Sequence, residues 1–444
     1  MMHFNTDKQT TDDLNIFGKP GGDSVFNIYN HTATRGGSSM LEEMFRYPLA
    51  DADAINERIR SMQHFSDSGT DFPFNSSWFS GAELYLALED ERTRLSHEKE
   101  TIGDKVRSLI AKDHDFQVIS NGVLAVLDIL FALKKFLRQG QPGMTILTEL
   151  GKLLDHEDLT PVMQEAPPKK MPYASIVRYD DLLRFRCRQT MRLILRHIYM
   201  LDVYISVGKT ARQHQFVFPK VLNREMHTVH LENVYHPLVK NAVPNTLRIT
   251  PESNIVFLTG ANMAGKSTFM KSLGIAMYVA HIGFPVAAGK MEFSVRDGIY
   301  TTINLSDNLS SGSSHFYAEV LRIKKVAQEL SQSRNLFIIF DELFRGTNVK
   351  DACDATIAIT GAFASRDNCM FIVSTHIIEA GEVLKEKFPN IHFTYMPTTM
   401  QGNKPVYTYQ LAPGITADRH GMVIINNEGI LDIIRNGRHK TEKA

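Results

Sequence analysis

A lysine followed by two hydroxyl residues stands directly behind a pair of spaced glycines at Gly260-Ala261-Asn262-Met263-Ala264-Gly265-Lys266-Ser267-Thr268. The run fits G-x-x-x-x-G-K-[ST] without a gap, after an apolar stretch and before a helical one. Glycines at those places let backbone N–H groups converge on phosphate oxygens, and a helix that starts there adds its positive end. Lys266 is expected to bridge β- and γ-phosphates, and the Ser267 hydroxyl to bind Mg²⁺. The bland reading is a chance match at a glycine-rich turn. The strand-then-helix context weighs against it.

A phosphate site needs an acid for the metal. "NLFIIFDELFRGT" supplies Asp341 and Glu342 at the end of an apolar run. Asp341 is expected to hold Mg²⁺ through water, and Glu342 to polarise the attacking water as general base. Alone, an Asp-Glu pair is usually just solvated. Behind an apolar strand it sits at the carboxyl edge of a parallel sheet, where ligands bind. A second apolar run, "CMFIVST", leads into His376, which could contact the γ-phosphate; by itself this would read as a histidine bonded within a turn.

These residues need a sheet to carry them. After about Phe216 the texture alternates: "VHLENVYHPLV" and "SNIVFLTG" read as strands. A helix after Lys266, strand "NLFIIFDE", helix "DACDATIAITGAFA", strand "CMFIVST" and a helix after His376 follow. Nearly wholly apolar strands alternating with helices predict a parallel sheet covered on both faces. The first half reads as helical: "SSMLEEMFRYPL", "ADAINERIRSMQHF", a long run from Ala82 to Lys112, "ISNGVLAVLDILFALKKFLRQ" and the run from Asp180 to Ala211 space apolar residues three to four apart. "QEAPPKKMPY" reads as a loop. The boundary falls near residue 226, giving a helical domain over 1–226 and an α/β domain over 227–444.

The 444 residues carry a formal net charge of zero, with 43% hydrophobic residues, enough for sizeable cores. Global charge therefore gives no pointer to nucleic acid. Three cysteines, Cys187, Cys353 and Cys369, match no zinc spacing, which suits a reducing cytoplasmic setting. The polar first residues hold no apolar stretch of the signal-peptide kind. "GVLAVLDILFAL" carries Asp128 and reads as too short to span a bilayer, so no membrane partner is expected.

The order and spacing of "TGANMAGKSTFMKSLGIAMYVAHIGFPVAA", "DNLSSGSSHFYAEV", "LFIIFDELFRGTN" and "VSTHIIEA" resemble the ATPase domain of the MutS family of DNA mismatch repair proteins. The Asn262-Met263 pair inside the phosphate loop is part of that likeness. "NIYNHTATRGGSSMLEEMFRYPLADADAINERIRSMQHF" resembles the start of the family's core domain. "ENVYHPLV" is similar to the segment leading into the ATPase, and "PGITADRHGMVIINNEGILDII" to the closing helical region. The likeness runs from about residue 14 to about residue 436. It implies an ABC-type P-loop ATPase domain behind an all-α core-like domain, ATP and Mg²⁺ as ligands, a C-terminal helical dimerisation region, and DNA as partner. In such dimers the loop "SSGSSHF" crosses to the other copy's nucleotide, its serine being Ser314 here, with Arg345-Gly346-Thr347 along the same interface. Tyr409 aligns with a residue that stacks on the base.

The sequence also departs from the family. The core likeness begins almost at once, so the mismatch-reading and connector domains of full-length members have no counterpart here, and no Phe-x-Glu wedge is found. The helical region is short. Ser313 stands where a basic residue is usual and His315 where threonine is usual. No base-stacking aromatic occurs in "KNAVPNTLRI". From Lys169 to Arg224, twelve Lys/Arg face three Asp/Glu, and such a stretch could hold a phosphate backbone. Arg184, Arg186, Arg188, Arg192 and Arg196 cannot share one narrow helix face, so a solvated helix is an equal reading. The expectation is an ATP-hydrolysing homodimer whose nucleotide state gates binding of mismatched, branched or otherwise non-standard DNA, in mismatch repair or a recombination-related process. The alternative is a nucleotide-switched scaffold with weak hydrolysis and no direct DNA binding. A transporter ATPase subunit fits less well, because the long helical half precedes the nucleotide domain.

Overall fold

The computed structural model describes residues 4–19, 21–95, 109–139, 144–164, 171–303, 315–401, 404–416 and 429–437. The chain divides into two compact units. One comprises Met1–Tyr29, Met44–Gln63 and Thr210–Ala444; the other comprises Asn30–Glu43 and His64–Lys209.

The first unit holds the strands β1 (Lys220–Leu222), β2 (Val229–Val234), β3 (Asn245–Ile249), β4 (Ile255–Gly260), β5 (Lys290–Ser294), β6 (Gly298–Thr302), β7 (Leu336–Phe340), β8 (Met370–Ser374), β9 (Ile391–Met396), β10 (Thr398–Gln401), β11 (Lys404–Tyr407) and β12 (Ala412–Pro413). Six of them form one sheet in the order β12-β9-β4-β8-β7-β6. From β9 to β6 all neighbours are parallel, and β12 runs antiparallel to β9. Every residue of β4, β7 and β8 is buried, which is why these strands read as unbroken apolar runs. Helices Lys266–Ile282, His315–Leu330, Val349–Ala364 and Ile378–Lys387 lie between successive strands. Within the core, Phe363 stacks between Phe340 and Phe371, with ring centroids 5.7 and 4.5 Å away. The order β4-β8-β7 brings the carboxyl ends of the three apolar strands side by side, and those ends carry the phosphate loop, His376 and Asp341-Glu342.

A second sheet, ordered β1-β5-β2-β3, precedes and flanks the phosphate loop in sequence. Of its strands, β2 lies in the run read as a strand from the sequence; β1, β3, β5 and also β6 went unrecognised because runs such as "KMEFS" and "GIYTT" are too brief and mixed to show a period.

The boundary expected at residue 226 does not separate the units. The N-terminal segment belongs with the sheet: Asn5 bridges Gly298 in parallel, its amide donates to Asp297 O at 2.7 Å, and Ile299 N donates back to Asn5 O at 2.9 Å. Asp13 then accepts from Thr301 Oγ1 at 2.7 Å and from Ile303 N at 2.9 Å. The segment thus covers the edge of β6, whose backbone would otherwise be open to strand pairing.

In the second unit, the described residues are helical or loop, without strands. The long helix expected from Ala82 to Lys112 is interrupted: helix Ser77–Leu86 ends, and a 3₁₀ turn follows at Glu91–Thr93. Arg184 binds the segment after the break. Its buried guanidinium pairs with Asp180 at 2.7 and 2.8 Å and takes Leu88 O at 3.3 Å and Thr93 O at 3.0 Å. Helix Leu109–Arg138 contains one stretch, Phe116–Arg138, that is long and apolar enough to cross a membrane by length and composition, with mean hydropathy 1.9. This corrects the reading of the run as too short: it extends beyond Gly122–Leu133 on both sides. Half of that window is buried inside the protein, and Ile119, Val123, Val126, Leu130 and Leu133 form its buried stripe.

Candidate functional site

The phosphate loop turns between β4 and helix Lys266–Ile282. Gly260 has φ 143° and Gly265 has φ 99°, both in the region where a Cβ is strained. At Gly265 a Cβ would also stand 2.9 Å from Tyr409 Cδ1. Met263, Glu342, Phe344 and Tyr409 adopt positive φ without being glycine, at 71°, 56°, 62° and 57°. Such conformations cost free energy and concentrate where a surface must present backbone or side chains in a set direction.

The Lys266 side chain is buried and its ammonium donates to Gly260 O at 2.8 Å and Ala261 O at 3.1 Å. Burial pushes its pKa down, and the charges of Asp341 and Glu342 push it back up. Ser267 Oγ donates to Asp341 Oδ2 at 2.5 Å, and Ser374 Oγ to Asp341 Oδ1 at 2.5 Å. Burial raises the Asp341 pKa despite these two hydroxyls. Glu342 behaves oppositely. A hydrogen bond with His376 Nε2 at 2.5 Å, ahead of the charges of His376 and Arg345, lowers its pKa to about 2. The carboxylate can only accept, so His376 donates. Arg345 Nη1 adds a contact to Glu342 Oε2 at 3.3 Å. Two adjacent acids therefore have divergent environments: Asp341 faces hydroxyls and the phosphate loop, and Glu342 faces His376 and Arg345.

A cavity of about 490 Å³ opens over the loop. Ala261, Asn262, Met263, Gly265, Lys266, Ser267 and Thr268 line one side, Glu342 borders it, and Met396 and Tyr409 close another. The Val239–Val243 segment, His236 and Asn245 form a further part of the lining. Gly260 and Ala264 belong to the loop without lining the cavity. The structure brings together Lys266, Ser267, Asp341, Glu342, His376 and Tyr409, all singled out in the sequence. Ser314 and Ser313 lie outside the described residues.

Three contributors were not singled out from the sequence. Ser374 holds Asp341 from β8. His236 is buried, with its pKa lowered to about 4 by burial and by Lys271, and its Nδ1 accepts the Leu238 amide at 3.2 Å. Asn245 donates to Tyr409 O at 2.9 Å and accepts from Leu411 N at 2.8 Å. Only their neighbourhood to the motifs in space marks them; none has a local spacing signal.

The basic stretch is largely engaged within its own unit. Besides Arg184, Arg186 pairs with Asp158, Arg192 with Glu89, and Arg188 donates to Leu88 O at 3.3 Å. The charge excess counted along the sequence therefore overstates the cationic surface offered to a phosphate backbone. In the same unit, His156, Asp158 and Cys187 bring donor atoms within 4.8 Å of one another. Asp158 Oδ1 pairs with Arg186, and His156 Nδ1 accepts the Asp158 amide at 3.3 Å.

Against known proteins, a family profile for MutS domain V matches residues 256–443. DNA mismatch repair protein MutS of Thermus thermophilus is 30% identical over 254 residues, covering 56% of this chain and 30% of the relative. MutS of Fusobacterium nucleatum is 28% identical over 257 residues, 56% of this chain and 28% of the relative. DNA mismatch repair protein MSH3 of Vanderwaltozyma polyspora is 23% identical over 389 residues, 83% of this chain and 37% of the relative. The matched region spans roughly a third of the length of these curated relatives. The domain V match begins one residue into β4 and takes in the phosphate loop, the paired acids and His376. Residues 256–443 thus match MutS domain V, and the chain is similar over more than half its length to MutS and MSH3 proteins.

Proposed function

We propose that the first unit is an ABC-type P-loop ATPase domain that binds and hydrolyses ATP with Mg²⁺. The observation that supports this most is the convergence of Lys266, Ser267 and Asp341 at one sheet edge, with Ser267 Oγ 2.5 Å from Asp341 Oδ2. That donor set suits the metal: a hydroxyl and a carboxylate offer the hard oxygens that Mg²⁺ takes. Ser267 would bind it directly and Asp341 through water. The bound ion would neutralise charge on the β- and γ-phosphates.

The remaining roles follow from the chain's own groups. Lys266, now held by loop carbonyls, exchanges them for phosphate oxygens, while loop amides and the start of helix Lys266–Ile282 orient the triphosphate. Glu342, ionised at neutral pH, accepts the proton of the attacking water. It can do so through Oε2 while Oε1 stays with His376, or through either oxygen once His376 has left. His376 and Arg345 thus hold the base in place until a triphosphate arrives, and His376 is then free to meet the γ-phosphate. Tyr409 offers its ring to the base.

The likeness to MutS proteins extends the proposal: a homodimer, with Ser314 completing the partner's site, whose nucleotide state gates binding of mismatched, branched or other non-standard DNA in a mismatch-repair-related role. The engaged arginines motivate a second reading, a nucleotide-switched scaffold with weak hydrolysis that binds no DNA. Titrating labelled duplex, four-way and mismatched DNA at fixed low salt, with and without ATP, separates the two. ATP-dependent binding of one of these DNAs supports the gated DNA-binding reading. No binding above background, with dimerisation intact, supports the scaffold.

A further inference from the structure

We infer that Asn245 is a positioning residue for the nucleobase end of the site, joining its two walls so that Tyr409 is presented to the base. The inference rests on the nucleotide-binding reading above and deepens it. One wall of the cavity, Val239–Val243, runs directly into Asn245 at the start of β3. The other wall carries Tyr409, in the connection between β11 and β12. The Asn245 carboxamide spans them, donating to Tyr409 O at 2.9 Å and accepting from Leu411 N at 2.8 Å. It also donates to Val243 O at 3.3 Å, so the amide is bonded to both walls at once.

The clip has something to hold. Tyr409 sits at φ 57°, a conformation a tyrosine adopts only when its surroundings impose it. Its ring edge lies against the phosphate loop, where only a glycine at 265 leaves room, yet the residue is 44% exposed and otherwise weakly buried. The paired backbone bonds to Asn245, made by a residue that is only 7% exposed, supply the restraint. Phosphate contacts do not pass through Asn245; they come from residues 260–268 and helix Lys266–Ile282. Asn245 therefore governs recognition of the base and leaves the triphosphate alone.

The test compares two ligands on the full chain by calorimetry: the magnesium complex of a non-hydrolysable ATP analogue, and magnesium tripolyphosphate, which lacks base and ribose. In Asn245→Ala the analogue is expected to bind about tenfold more weakly, with tripolyphosphate affinity unchanged. Asn245→Asp, which keeps the acceptor for Leu411 and loses the donor to Tyr409, is expected to show the same selective loss, and it is the variant read if Asn245→Ala does not fold. Unchanged affinity for both ligands overturns the inference, and so does an equal loss for both. Failure of the wild-type chain to bind either ligand instead removes the nucleotide-binding reading itself.

Discussion

The Ser267 hydroxyl and the Asp341 carboxylate lie 74 positions apart in the chain and 2.5 Å apart in space. The parallel order β4-β8-β7 makes that contact, because it sets the ends of β4 and β7 on either side of β8, and Ser374 of β8 bonds the other oxygen of the same carboxylate. Asp341 is thus half-buried between two hydroxyls at the place where a cation would meet the phosphate loop.

Asp341→Asn should separate function from stability. Burial raises the Asp341 pKa, which means the ionised form is disfavoured in the empty site. Removing the charge is expected to leave the unliganded protein as stable or to stabilise it by about 1 kcal/mol, while magnesium-dependent nucleotide affinity is lost. Thermal melts with and without Mg-ATP check both halves: the variant should lose the ligand-induced rise in Tm that wild type shows.

Glu342 carries a pH signature. Its folded pKa is about 2 against an ordinary 4.5. A depressed acid contributes stability that is fully present above its unfolded value and is lost as pH falls through the folded one. The stability of wild type relative to Glu342→Gln should therefore be flat at neutral pH and decline from about pH 4.5 toward pH 2. Urea titrations of the two proteins across that window measure the difference, and a constant difference would show that the His376 contact does not hold the carboxylate down.

Gly265→Ala should damage the site on two counts. The φ of 99° disfavours any side chain, and the added methyl meets Tyr409 Cδ1 at 2.9 Å. A loss of about 1–3 kcal/mol in stability is expected, together with weaker binding of the ATP analogue. Denaturant unfolding and calorimetry report each effect separately.

In the second unit, Arg184→Ala should be severe and Arg192→Ala mild. Arg184 is fully buried and bonded to Asp180 on both oxygens, and Tyr85 Oη donates to the same carboxylate at 2.9 Å. Removing one partner of a buried pair costs about 3–5 kcal/mol. Arg192 and Glu89 are both about half exposed, and such pairs contribute about 0–1 kcal/mol. Urea unfolding of the two variants distinguishes them.

The legible part of this protein was the part written in local sequence. The phosphate loop, the acidic strand end and β4, β7 and β8 announce themselves because parallel strands buried on both faces must be unbroken apolar runs, and because glycines, a lysine and acids then cluster at their ends. What stayed hidden depends on distant partners. Asn5 covers the edge of β6 from 293 residues away along the chain, so the N-terminal segment read as part of a helical domain. Arg184 counted as one more surface cation until its buried partner and the carbonyls it captures were seen. Asn245 and Tyr409 are 164 residues apart and share no pattern; only the fold makes them neighbours.

The most direct test of the account is steady-state release of phosphate from Mg-ATP by wild type, Lys266→Ala and Glu342→Gln, with nucleotide binding measured alongside. Wild type is expected to turn over ATP. Lys266→Ala should bind it weakly, with hydrolysis reduced at least about a hundredfold, and Glu342→Gln should bind it well without hydrolysing it. Equal hydrolysis by all three proteins would contradict the assignment of this sheet edge as the catalytic site.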